Sequence, residues 1–240
     1  VHTWKVMMMN VQELEEAHVE MSAYIQAENP DFLLVLEVDP AWLAVMSHLE
    51  EVYPYHLLEP RYSGRGIAFY SKLPWESAAV WDVVQMDRPA LIASYYVDDC
   101  PLTIVGLHPY PPLNDQMWRL RNEELAQVAA FIRQQPGAAI LLGDLNITPW
   151  SPTFQDILAV SNLQNGRSKF GFLPTWPVVG STALLPFDHI LTTPDLTITA
   201  METGHPVGAD HLPLTANIRF TSESTQAISP PSSSCTREQN

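Results

Sequence analysis

Residues 140–146 read Ile-Leu-Leu-Gly-Asp-Leu-Asn, an apolar run that ends in Gly143 and then offers a carboxylate, Asp144, and an amide, Asn146. A strand repeats every two residues, so this spacing predicts both side chains on one side of a strand tip. A carboxylate can hold or deprotonate a water, and an amide can donate to a phosphoryl oxygen, so the pair suits a phosphate site. Four further segments carry groups of the same kind. Glu37 closes Leu-Leu-Val-Leu-Glu, and His108 closes Thr-Ile-Val-Gly-Leu-His ahead of Pro109. Asp188-His189 follow Pro186-Phe187, and Asp210-His211 stand in Gly-Ala-Asp-His-Leu-Pro just before the last apolar run. Taken singly, Glu37 reads as a solvated strand end and Gly-Asp-x-Asn as a turn; their joint occurrence points to a site. His189 would face away from Asp188 and reads as structural, while His2, His18, His48, His56 and His205 read as surface residues.

The elements that must position these groups are legible from periodicity and punctuation. Apolar runs predict strands over 4–10 and 32–36, and Leu14, Ala17, Met21 and Ile25 recur at helical spacing between them, stopped by Asn29-Pro30. Asp39-Pro40 fits an N-cap followed by proline in the first turn, opening a helix to about residue 51. Strands are expected over 66–71, 91–97 and 102–108, with Asp98-Asp99 as a hairpin turn, then an amphipathic helix over 118–135 and the strand that ends in Asp144. Ser151-Pro152 starts a short helix, and 187–192 and 212–220 complete the strands. Strand after strand thus ends in a group able to meet metal or phosphate: Asn10, Glu37, His108, Asp144. Catalytic groups gather where loops leave a rigid scaffold. Trp150, Phe170, Phe172 and Trp176 lie in loops near these motifs and read as packing beneath them, with Trp176 and Arg65 as the candidate substrate contacts.

The chain has 240 residues, 46% of them hydrophobic, enough for one large domain over 1–220. Residues 221–240 are rich in Ser, Thr, Pro and Gln and read as a disordered polar tail. The net charge of −15, with basic residues scattered over Arg61, Arg65, Arg88, Arg119, Arg121, Arg167 and Lys169, argues against tight binding of long duplex DNA. Two cysteines are too few for a disulfide framework, and neither stands at a metal-ligating spacing. No apolar run is long enough to span a bilayer, and the start at Val1 suggests an excised fragment whose targeting segments are missing. No Gly-x-Ser-x-Gly turn is present, which disfavours a metal-independent esterase.

Gly143-Asp144-Leu145-Asn146 with the late Asp210-His211-Leu212-Pro213, joined by Glu37, Pro174-Thr175-Trp176-Pro177, Gly66-Ile67-Ala68 and Ser71-Lys72-Leu73-Pro74, resembles the endonuclease/exonuclease/phosphatase superfamily over residues 4–220. His108-Pro-Tyr-Pro-Pro112 and Asn146-Ile-Thr-Pro-Trp-Ser-Pro152 resemble its bacterial members whose catalytic domain follows a membrane region, so a membrane anchor outside this fragment is an expectation. The resemblance implies a four-layer α/β/β/α sandwich, two mixed β-sheets face to face with helices outside each. It implies Glu37, Asn10 and Asp210 around a divalent cation, Mg²⁺ or alternatively Mn²⁺, which suits hard oxygen ligands. It further implies that Asp144 activates water, Asn146 fixes a phosphoryl oxygen, and His211, oriented by Asp188, stabilises transition-state charge, with His108 as a second phosphate contact. Many relatives carry Asp or Asn where this chain has Gln12, a weaker ligand. The expected reaction is hydrolysis of a phosphodiester or phosphomonoester by an activated water. The alternatives are cleavage of short or damaged DNA and a noncatalytic phospho-ligand-binding domain on the same fold.

Overall fold

The computed structural model describes residues 2–12, 17–180 and 182–221. Leu14 of the expected first helix, Cys235 and the tail over 222–240 lie outside the described residues. In chain order the elements are β1 (Trp4–Asn10), α1 (His18–Glu28), β2 (Phe32–Leu36), α2 (Pro40–Val45), α3 (Leu49–Val52), β3 (Tyr55–Glu59), β4 (Ile67–Ser71), β5 (Ser77–Trp81), β6 (Ala90–Val97) and β7 (Cys100–Gly106). There follow α4 (Asp115–Gln134), β8 (Ala138–Asp144), α5 (Pro152–Ser161), β9 (Gln164–Asn165), β10 (Trp176–Val179), β11 (Thr182–Leu185), β12 (Asp188–Thr192), β13 (Leu196–Thr203) and β14 (Leu214–Phe220).

One sheet runs β13-β14-β1-β2-β4-β3 and the other β5-β6-β7-β8-β12-β9, with β10 and β11 as a separate hairpin. Each sheet has a parallel pair at its centre, β1 with β2 and β7 with β8, and antiparallel neighbours outside it. The parallel pairs explain the uninterrupted apolar runs, because both faces of those strands are covered. In β1, Trp4, Val6 and Met8 point into the core between the sheets, while Met7 and Met9 point to the helix layer with Leu33, Val35, Met21, Ile25 and Trp42. In β8, Ile140 and Leu142 join the inter-sheet core, while Ala139 and Leu141 meet Leu125, Val128 and Ile132 of α4 and Phe154 of α5. Three apolar layers between four structural layers make the expected α/β/β/α sandwich. The sheets approach closely at Gly106, where an added Cβ would lie 2.5 Å from Cδ1 of Leu34 on β2. Among the described residues no helix is long and apolar enough to cross a membrane.

Several boundaries differ from those read in the sequence. Asp39 caps as expected, its carboxylate accepting from the N–H of Trp42 at 2.7 Å, but the helix it opens splits into α2 and α3. Ser47 at the break turns its hydroxyl back onto the carbonyl of Ala44 at 3.0 Å, a bond that competes with continued helix. Helix α4 starts at Asp115 because Asn114 caps it, accepting from Met117 N–H at 2.9 Å. Strand β7 stops at Gly106, two residues before His108. Strands β3, β5, β9, β10, β11 and β13 were not read from the sequence: β5 is a largely exposed edge strand, and β13 carries a register shift between Ile198 and Ala200 that breaks its alternation. His18 is buried, its ring 6.5 Å from that of Trp42, rather than on the surface.

Candidate active site

The groups singled out by type meet where the central strands of both sheets end. Asn10 is the last residue of β1 and Asp144 the last of β8, while Glu37 and His108 lie just past β2 and β7. Glu37 leaves its strand in the left-handed region (φ 65°), with its N–H donating to the carbonyl of Gly66 at 2.7 Å. The sharp exit turns its carboxylate to Asn10, whose Nδ2 donates to Glu37 Oε1 at 3.0 Å. Gly143 lets β7 and β8 close on each other, since a Cβ there would lie 1.8 Å from the carbonyl oxygen of Leu107.

Asp144 and Asp188 stand directly opposite each other on the antiparallel pair β8–β12. Facing residues of such a pair have Cβ atoms about 5 Å apart, and like charges there repel. His211 resolves the conflict. Its Nδ1 donates to Asp188 Oδ2 at 2.8 Å, and its Nε2 lies 3.6 Å from Asp144 Oδ2. The same Asp144 oxygen lies 3.5 Å from Asn10 Nδ2 and 3.7 Å from His108 Nε2, and His108 Nε2 is 3.9 Å from Glu37 Oε1. Three nitrogens from three strand ends or loops therefore converge on one carboxylate oxygen, all beyond the ordinary N–H···O distance.

The electrostatics separate the two aspartates. Burial, then the facing charge of Asp188, pushes the Asp144 carboxyl up to about 7, against the opposing pull of His211 and of the Asn146 N–H. Burial would raise Asp188 as well, but the charge and hydrogen bond of His211 and a bond from Thr175 hold it below the usual carboxylate range. Burial alone would lower His211; Asp188, Asp144 and Asp210 outweigh it and raise the imidazole to about 10. Burial, then the charges of Arg88 and His211, holds His108 well below its ordinary value, hence neutral. Glu37 is raised by burial, partly offset by Asn10.

Asn10, Glu37, His108, Asp144, Asp188 and His211 thus form one cluster. Asp210 flanks it: its Oδ2 accepts from Trp176 Nε1 at 3.0 Å, and the Trp176 ring lies 6.2 Å from that of His211. Asn146 departs from the expectation. Strand β8 ends at Asp144 and Asn146 is left-handed (φ 50°), so strand alternation does not carry to it. Its N–H donates to Asp144 Oδ1 at 2.9 Å and its Nδ2 to the carbonyl of Pro109 at 3.0 Å, which makes it a brace for Asp144 and for the His108 loop. Arg65 is not brought into the cluster; its NH1 pairs with Asp87 Oδ2 at 2.6 Å. Trp150 and Phe172 do not pack beneath loops but stack on each other at 5.7 Å while 62% and 50% exposed. His189 is buried as a structural group, its Nε2 at 2.8 Å from the carbonyl of Ile147.

Sequence reading missed several supports. Gln12 Oε1 accepts from the N–H of Asp210 at 3.2 Å, so it ties the end of β1 to the 210 loop instead of offering a weak metal ligand. Arg167 donates to the carbonyl of Asp188, and Arg88 to that of His108. No local motif marks these long-range contacts.

The donor atoms of Asp144, Asp188 and His211 lie within 4.8 Å of one another. With Nδ1 of His211 bonded to Asp188 and its ring protonated, that group is better suited to acid–base work than to caging a cation. Glu37, with Asp210 near enough to act on its charge, offers hard oxygens suited to a divalent cation, whose charge would offset the cost of burying the Glu37 carboxylate. Asn10 turns Nδ2 toward Glu37 and its Oδ1 accepts from the Gln12 N–H at 3.1 Å, so it stands beside such a cation without adding an oxygen to its shell.

Two mixed sheets face to face, with carboxylates and histidines at one set of strand ends, define an α/β sandwich of the deoxyribonuclease I type. Within that class the chain belongs to the endonuclease/exonuclease/phosphatase family, whose model matches residues 4–222. Solved structures share the fold at low identity. Danio rerio TDP2 complexed with single-strand DNA product is 14% identical with a TM-score of 0.77, covering 92% of this chain and 100% of that one. An endonuclease/exonuclease/phosphatase from Beutenbergia cavernae is 18% identical with a TM-score of 0.73, covering 92% of this chain and 72% of that one. An endonuclease/exonuclease/phosphatase from Bacteroides vulgatus is 14% identical with a TM-score of 0.73, covering 92% and 100%. Among curated proteins none matches this chain by sequence.

Proposed function

We propose that the chain is a divalent-metal-dependent phosphoesterase that hydrolyses a phosphodiester or phosphomonoester by an activated water. The observation that carries this reading is the split between two facing aspartates: Asp144 pushed up to about 7, and Asp188 held ionised by His211 at 2.8 Å. The split leaves Asp144 near neutrality as a base and, through Asp188, keeps His211 protonated as the donor.

In this mechanism Asp144 accepts a proton from the attacking water, its value near neutrality matching the task. The hydroxyl adds to phosphorus in line with the departing oxygen. His211, protonated through its pairing with Asp188, donates from Nε2 to a phosphoryl oxygen as charge builds. Neutral His108 donates to a second one, and Asn10 Nδ2 bridges Glu37 and Asp144. A cation held by Glu37 and Asp210, with Asn10 beside it, would supply Lewis-acid neutralisation of the phosphate, Mg²⁺ by the hardness of these carboxylate donors.

The net charge of −15 favours a small phosphoester or a short single strand over long duplex DNA; one structural neighbour is TDP2 with single-strand DNA product. The test is cleavage of bis-p-nitrophenyl phosphate and p-nitrophenyl phosphate with Mg²⁺ and Mn²⁺ compared. Turnover is expected to stop with EDTA and with Asp144→Asn; turnover that survives both overturns the assignment.

A further inference from the structure

Arg88, Arg121 and Arg167 are all buried, and all three spend a guanidinium N–H on the main-chain carbonyl of a cluster residue or its brace. Arg88 NH1 donates to His108 O at 3.0 Å, Arg121 NH1 to Asn146 O at 2.6 Å, and Arg167 NH2 to Asp188 O. Burying a cation is costly unless it is paired and hydrogen-bonded. Arg121 is also bonded to the Asn122 side chain through Nε and NH2, and Arg167 to Leu173 O and the His189 ring.

Arg88 is the exception. Its Nε has no hydrogen-bond partner, and its Cζ lies 4.6 Å over the ring of Tyr110. The buried Glu124 on α4 is close enough to feel its charge, yet neither Glu124 oxygen has a hydrogen-bond partner either. Burial pushes Glu124 up to about 8, so near neutrality it keeps its proton and leaves Arg88 unpaired there. The firm contacts of Arg88 are therefore the carbonyl of His108 and the ring of Tyr110, both on the loop that carries His108. The loop is zipped on the far side too, since the Tyr110 hydroxyl donates to Met86 O at 2.9 Å. Apolar replacement of a buried ionic group is tolerated where it strands no charged partner, and Glu124, holding its proton, is not left as one. The contribution of Arg88 then lies in what it holds in place.

We propose that Arg88 is a positioning residue of the hydrolytic site, setting the His108 loop through the carbonyl of His108. The inference rests on the phosphoesterase reading, since it assigns His108 a phosphate contact. In Arg88→Met the fold should persist, because Glu124 already holds its proton. kcat should fall roughly tenfold to a hundredfold, the scale of a misplaced donor, with KM little changed. Arg88→Lys, which keeps the charge but loses the planar fork, should recover part of kcat. Glu124→Gln should leave kcat unchanged.

A readout independent of turnover is the ¹⁵N spectrum of the histidine rings. Arg88→Met should move the His108 signals and leave those of His189 in place. Unmoved His108 signals overturn the inference whether or not the protein turns over substrate, whereas an inactive wild type with moved signals counts only against the phosphoesterase reading. Wild-type kcat in a folded Arg88→Met, or a loss in Glu124→Gln equal to that in Arg88→Met, also overturns it. Where Arg88→Met does not fold, Arg88→Lys decides by the same two measurements: wild-type kcat with unmoved signals overturns the inference.

Discussion

The two halves of the sandwich are built alike and end differently. In one, β14-β1-β2-β4 places a parallel pair, bridged by α1, between antiparallel neighbours; in the other, β6-β7-β8-β12 does the same around α4. The first strand of each pair leads to a nitrogen donor, Asn10 or His108, and the second to a carboxylate, Glu37 or Asp144. The contrast lies in the next strand. Beside Glu37, the chain entering β4 offers Gly66, whose carbonyl accepts the Glu37 N–H; beside Asp144, β12 offers Asp188. A second carboxylate draws in His211 and pushes Asp144 toward neutral pH. In the proposed mechanism one scaffold therefore gives a corner that would hold the cation and a corner that would handle the proton, according to what faces the carboxylate.

The sharpest way to break this comparison is to remove each carboxylate's charge in turn. Asp144→Asn is expected to lower kcat by about 10³-fold or more. Glu37→Gln should cost less at saturating Mg²⁺ but raise the Mg²⁺ concentration needed for half-maximal rate. Equal kcat losses with an unchanged metal requirement would erase the division of labour.

Next in size is Asp188→Asn, which makes the second corner resemble the first. It should lower kcat roughly 10²-fold, on the scale of losing one transition-state donor. It should also bring the alkaline limb of the pH–rate profile down from about 10 toward the ordinary histidine range, because His211 loses its partner. In the wild type the base must be ionised and His211 protonated. Activity should therefore rise as pH passes about 7 and fall as it passes about 10. A flat profile between pH 6 and 8 would remove Asp144 as the base.

The smallest effect separates the crossover helices. Helix α1 buries His18, Met21, Tyr24 and Ile25 and no carboxyl, whereas α4 buries Glu124 among its apolar residues. The Glu124 carboxyl lies near 8 in the fold, above its unfolded value. The unfolded chain therefore releases this proton first, and stability is lost as pH rises from about 4.5 toward 8. Glu124→Gln should leave Tm nearly unchanged at pH 4.5 and raise it by roughly 5 °C at pH 8. A difference in Tm that does not grow with pH would show that Glu124 is not held neutral.

How much of this was legible in the sequence follows from the range of the interactions. Strands 4–10 and 32–36 and the cap at Asp39 rest on neighbours in the chain, and the structure keeps them. Glu37, His108 and Asp144 stand out because type and strand-end position coincide, while Asp188 and His211 are carried by the motifs of the family resemblance; the structure brings all five together. The alternation expected between Asp144 and Asn146 fails because the left-handed backbone of Asn146 lies past the end of β8, a turn that local spacing does not reveal. Arg88, Arg167 and Gln12 act across 20, 21 and 198 residues of chain, where no local pattern reaches. Arg65 shows the converse: a basic residue suited to phosphate that the fold spends on Asp87.

Gly106 stands two residues before His108, and Leu34, against which it packs, three before Glu37. A single hydrogen atom in place of a methyl sets the gauge between the two sheets at that point. It also sets the gauge between the corner that would hold the cation and the corner that handles the proton. Neither Gly106 nor Leu34 touches substrate in the proposed mechanism, yet a methyl at Gly106 would act as a shim against the end of the Leu34 side chain, and whatever that buried leucine could not absorb by turning would be passed to the two strands that lead to Glu37 and His108.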